Sequence, residues 1–95
     1  MNQRANQRVA YYNGNIVAER DVRIPFRDRS FLYGDGCFDM TRTFNGSVFK
    51  LTEHVERLFE SLAYLRIDIN LSPSEVVEIS NEVLSRNRHL LDTGD

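Results

Sequence analysis

"LTEHVERLFESLAYLRI", residues 51–67, is where the chain changes its period. Val55, Leu58, Phe59, Leu62 and Ala63 fall at i, i+3, i+4, i+7 and i+8. That spacing makes one face of a helix, running from about Thr52 to about Arg66 with Thr52 as its N-cap. Before it lie β-prone runs instead. "SVFKL" (47–51) and "CFDMTRTF" (37–44) flank Asn45-Gly46, and "VAYYNGNIVAE" (9–19) is centred on Asn13-Gly14. Asn-Gly tolerates positive φ at both residues, so each pair predicts a two-residue hairpin turn. Between the hairpins, Val22, Ile24 and Phe26 alternate with charged residues over 21–30. This predicts a half-exposed strand, confined by Pro25 to an edge or an irregular path. After the helix, "SPSE" (72–75) opens another: Ser72 caps, Pro73 takes the first helical position, and Glu75 completes a capping box. Val76, Ile79 and Val83 share a side of it, and the pattern fades near Asn87. Strands first and helices second predict an α+β fold, a two-layer arrangement in which two helices cover one face of an antiparallel sheet.

Ninety-five residues suit one domain, placed at 9–95 behind a loose polar tail at 1–8. With 41% hydrophobic and 27% charged residues, the chain has the make-up of a soluble globular protein. Twelve basic and 14 acidic residues are mixed along it, and no basic stripe offers itself to a nucleic acid. The apolar runs are far shorter than a membrane span, and "MNQRANQR" lacks the apolar core of a secretion signal. A cytoplasmic location is expected. Cys37 is the sole cysteine, which excludes an internal disulfide and any CxxC metal site, and the histidines His54 and His89 lack metal spacing. No metal is expected.

The chemistry gathers around residues 31–57. At about 100° per residue, Arg57 lies opposite the stripe of Val55, Phe59 and Leu62, beside Glu53, Ser61 and Tyr64. A solvated Arg57 pairing with Glu53 is one reading. An anion site is the other, because a guanidinium presents a planar fork that fits phosphate or carboxylate and stays charged. His54, three residues earlier, reads better as a hydrogen-bonding or structural residue than as a ligand. "FLYGDGCFDM" (31–40) sets a tight Gly-Asp-Gly turn inside an apolar run. Its aromatics either join the core or face a ligand; a buried Tyr33 would need a partner for its hydroxyl. Neither a P-loop, a GxGxxG fingerprint nor a G-x-S-x-G nucleophile motif is present.

Taken in order, these landmarks resemble the N-terminal domain of the fold type IV pyridoxal-phosphate enzymes: branched-chain and D-amino-acid aminotransferases, (R)-selective amine transaminases and aminodeoxychorismate lyases. They are Tyr12-Asn13-Gly14, Asp28-Arg29, Phe31, Tyr33-Gly34-Asp35-Gly36, Phe38, Asp39, Asn45-Gly46, and His54, Arg57 and Leu58 in H-x-x-R-L. The resemblance covers residues 11 to about 67. It implies that Arg57 binds the 5′-phosphate of pyridoxal 5′-phosphate and that Tyr33 and Phe38 line the substrate pocket. The activity implied is transfer of an amino group from an amino acid to a 2-oxo acid by a homodimer. A lyase on the same scaffold, or a non-catalytic module that keeps the fold, are the alternatives. The lysine that holds such a cofactor as a Schiff base is expected in a second domain outside this chain. Lys50, the only lysine, sits in the second hairpin and reads as an ordinary strand residue.

Overall fold

The computed structural model describes residues 7–95. Strands β1 (Val9–Tyr12) and β2 (Asn15–Ala18) pair antiparallel, with Val9 opposite Ala18 and Tyr12 opposite Asn15. Asn13 and Gly14 turn between them at φ 47° and 93°, the positive pair that a two-residue hairpin requires. A 3-10 turn at Glu19–Asp21 follows. Of the tail expected at 1–8, residues 1–6 lie outside the described residues. Gln7 and Arg8 are both tied down, since Gln7 Oε1 lies 3.2 Å from His89 Nε2 and the Arg8 carbonyl accepts from the Glu19 N–H at 2.9 Å.

No strand forms at 21–30. A short helix, α1 (Arg29–Tyr33), begins there instead, and two local devices account for it. Asp28 Oδ2 accepts from the Ser30 and Phe31 N–H groups at 3.0 and 3.4 Å, an N-cap. Gly34, at φ 67°, closes the other end in the left-handed conformation that glycine adopts cheaply. Pro25 has no N–H to give a ladder, and no neighbouring strand takes up the alternation of Val22, Ile24 and Phe26.

The second hairpin is shorter than its alternation suggests. Only β3 (Thr43–Phe44) and β4 (Ser47–Val48) pair, around Asn45 and Gly46 at φ 52° and 81°. The Phe44 and Phe49 rings meet edge to face, 5.6 Å between centroids. The fold is α+β with antiparallel pairing, as expected, but the described strands make two separate ribbons where one sheet was anticipated.

Helix α2 (Leu51–Leu65) starts one residue before Thr52. The Lys50 carbonyl already accepts the His54 N–H at 3.0 Å, so Thr52 lies inside the helix and cannot cap it. Lys50 occupies the cap at φ 51°, past the end of β4, and is therefore a helix-entry residue and not a strand lysine. At the far end Arg66 turns left-handed at φ 58°. The Arg66 N–H reaches the Ala63 carbonyl and the Ile67 N–H the Leu62 carbonyl, a Schellman closure made with arginine instead of glycine. Helix α3 (Pro73–Asn87) has the anticipated entry: Ser72 Oγ accepts the Glu75 N–H and the Glu75 carboxylate accepts the Ser72 N–H. Helices α2 and α3 pack together, and Val55 and Leu62 of α2 are the buried core residues. The Asn87 amide clips α3 to β1, donating to the Val9 carbonyl and accepting from the Val9 N–H at 2.9 Å each. Among the described residues, no helix is long and apolar enough to cross a membrane.

Candidate functional site

The helical period that turns Val55 and Leu62 inward carries His54 to the flank and Arg57 to the outside of α2. Across from them runs the chain that leaves the Gly34–Gly36 turn and leads to β3. Asp39 of that run reaches both side chains. Its two carboxylate oxygens receive Arg57 Nε at 2.7 Å and Nη2 at 2.6 Å, a bidentate pair. His54 Nδ1 lies 2.9 Å from the oxygen that Nη2 uses, and 3.0 Å from Nη2 itself.

Nδ1 cannot serve both neighbours. With its proton on Nδ1, His54 donates to Asp39 beside Arg57, because an ionised carboxylate accepts from both. The Arg57 guanidinium, and after it His54, hold the Asp39 carboxyl well below the usual carboxylate range. Asp39 in turn raises the Arg57 pKa. A depressed carboxylate keeps its stabilising effect above the pKa of the unfolded chain and loses it as pH falls below that value. Asp39 and Arg57 thus stay paired through neutral and mildly acid conditions.

Solvent access divides the trio. The Asp39 side chain is 12% exposed and that of Arg57 is 61% exposed. A guanidinium carries five N–H donors. Asp39 engages the edge formed by Nε and Nη2, and no described residue accepts from Nη1. The outer edge, which Asp39 leaves untaken, carries the Nη1 hydrogens on a side chain that is mostly exposed, and its fork matches two oxygens of a phosphate monoester. These residues fit an anionic phosphate.

The structure brings Arg57, His54 and Asp39 together; it leaves Tyr33 and Phe38 apart from them. Tyr33 ends α1 and is 72% exposed, with the Arg29 guanidinium 5.4 Å from its ring centroid. Arg29 Nε is held in turn by Asp35 Oδ2 at 2.8 Å. Phe38 is 84% exposed. Neither ring joins the core, so the phenol of Tyr33 needs no buried partner. The Glu53 pairing weighed for Arg57 does not form, because Asp39 takes the fork from 18 residues upstream. His54 acts as a hydrogen-bonding residue. Asp39 is the member that sequence reasoning gave no role. The signal for it was available: Asp39 is the single charged residue on the Cys37, Asp39, Thr41, Thr43 side of the alternation.

Comparison with known proteins places the chain in a family. The model of the family described as amino-transferase class IV matches residues 36–91, more than half of the chain. A protein of Methanocaldococcus jannaschii, provisionally named a branched-chain-amino-acid aminotransferase, is 42% identical over 77 residues, 81% of this chain and 27% of that protein. The D-alanine aminotransferase of Staphylococcus aureus is 32% identical over 84 residues, 88% of this chain and 29% of that enzyme. That of Staphylococcus epidermidis is 31% identical over 77 residues, 81% of this chain and 27% of the enzyme. The chain therefore spans less than a third of the length of the curated relatives it matches.

Proposed function

The chain belongs to the amino-transferase class IV family, and from that premise we propose that it is the phosphate-gripping part of a pyridoxal 5′-phosphate-dependent aminotransferase. The observation that carries the reading is the Arg57 guanidinium, braced on one edge by Asp39 and open on the other. When bound, the cofactor supplies the carbonyl and electron-withdrawing ring through which an amino group passes from an amino acid to a 2-oxo acid. Arg57 would hold the phosphate by its outer edge and fix the cofactor's position. Tyr33 and Phe38, exposed on either side of the Gly34–Gly36 turn, would exclude water and shape the side of the pocket that receives the substrate. Lys50 has no part in the chemistry, since it caps α2 and its Nζ lies 5.5 Å from the Phe49 ring centroid. The catalytic lysine belongs to another part of the enzyme, which works as a cytoplasmic homodimer. The named relatives make branched-chain amino acids and D-alanine the first donors to assay.

The test is Arg57→Ala in the full-length protein, titrated with pyridoxal 5′-phosphate and followed by the cofactor's absorbance. Loss of a charge-assisted contact to phosphate should weaken binding about tenfold or more. Unchanged affinity would remove Arg57 from the site. Amino transfer from donor to 2-oxo acid supports the aminotransferase. Release of pyruvate from aminodeoxychorismate without an amino acceptor would instead assign the protein to the lyases.

A further inference from the structure

We propose that Asp39 and His54 are positioning residues that aim the Arg57 guanidinium, so that its outer edge is preset for a phosphate monoester. This rests on the reading of Arg57 as the cofactor-phosphate ligand and extends it to two side chains that never touch the ligand. Arginine on a helix surface samples many rotamers, and each one frozen on binding weakens the complex. Here the freezing is already done. Asp39 clamps Nε and Nη2 at 2.7 and 2.6 Å, which fixes the plane of the guanidinium as well as its place. The clamp itself is anchored: Asp39 comes from a different chain segment, is largely shielded from water, and is held by His54 at 2.9 Å. His54 sits one helical turn before Arg57, so helix geometry sets the distance between the two donors that Asp39 accepts.

A cost opposes this benefit. Asp39 neutralises the Arg57 charge, and removing the carboxylate would strengthen the long-range pull on phosphate. The two effects have opposite signs in one variant. Around an exposed group that pull is screened by solvent and salt, whereas a misaimed fork loses a paired hydrogen bond outright. Positioning should win.

The measurement is the affinity of the full-length protein for pyridoxal 5′-phosphate and, in parallel, for pyridoxal, which lacks the phosphate. In Asp39→Asn, binding of pyridoxal 5′-phosphate should weaken about tenfold, the worth of one charged hydrogen bond, with pyridoxal affinity unchanged. Adding Asp39→Asn to Arg57→Ala should cost nothing further, because the two residues act as one unit. His54→Ala should give a smaller loss, about threefold, again confined to the phosphorylated ligand. Should Asp39→Asn fail to fold, His54→Ala decides the matter alone. Equal or tighter binding of pyridoxal 5′-phosphate by the single variants, or equal losses for both ligands, would overturn the positioning role. A wild-type protein that does not prefer pyridoxal 5′-phosphate to pyridoxal would instead sink the assignment of Arg57 itself.

Discussion

Helix α2 and the run of residues 37–44 meet at Asp39, and they turn opposite kinds of side chain toward each other. Helix α2 follows the ordinary rule, with Val55 and Leu62 buried and Arg57 in water. The run inverts it. Asp39 is tucked in, while Phe38, Met40 and Phe44 stand exposed. Alternation states which residues share a side but not which side faces inward, and here the inward side is chosen by what waits for it. Two donors on α2 satisfy the carboxylate fully, so shielding it leaves no polar group unpaired. The exposed Phe38 and Met40 side chains forgo most of the roughly 1.5–3 kcal/mol apiece that full burial would bring. Among the described residues, the apolar ones that hold the fold together are therefore a small subset.

The sharpest way to break that contrast is a pair of truncations in the 95-residue chain. Leu62→Ala removes a buried side chain between helices and should cost about 2 kcal/mol or more. Phe38→Ser deletes a larger apolar group, yet it should stay within about 0.5 kcal/mol of wild type, because the ring is already in water. Thermal melts of the two variants measure this directly. A Phe38→Ser loss as large as that of Leu62→Ala would mean that the aromatic run packs against this chain after all.

A second variant asks how far local signals, as against packing, secure the helical side of the comparison. Ser72→Ala removes the acceptor of the Glu75 N–H and half of the capping box, and should cost about 1 kcal/mol in a denaturant titration. No such cap supports α2, whose entry is a left-handed Lys50, so a Thr52→Ala variant should change stability far less than Ser72→Ala. Comparable losses would show that Thr52 stabilises the helix by some means other than capping.

The entry of α3 was legible because Ser72, Pro73 and Glu75 act on backbone within one turn of themselves. Both Asn-Gly turns were legible for the same reason. Helix α1 was also written locally, in Asp28 and Gly34, but the alternation of Val22, Ile24 and Phe26 competed with it. A strand needs a partner, and that is information no alternating run carries. Left-handed Lys50 and Arg66 have no sequence signature, since glycine or asparagine is the usual occupant. The site divides along the same line. Arg57 and His54 could be placed on α2 from the helical period, whereas Asp39 lies far enough upstream that only the folded chain brings it to the fork.

The smallest expected effect compares two of the arginine–carboxylate pairs. Arg86 Nε meets Glu82 Oε1 at 2.7 Å, one turn apart on α3, with both side chains about half exposed. Arg57 and Asp39 join separate segments through two bonds, with the acid shielded. A single-contact pair within one helix in water should contribute about 0.2–0.5 kcal/mol, so Arg86→Ala should barely move the melt, and less still at high salt. The Arg57 pair should keep its effect as salt rises, because one partner is shielded and the geometry is bidentate. Measuring both variants across an ionic-strength series separates a pair that only decorates a helix from one that orients a side chain. If the two respond to salt alike, the shielding of Asp39 has no energetic consequence, and the inversion of the 37–44 run loses its physical reason.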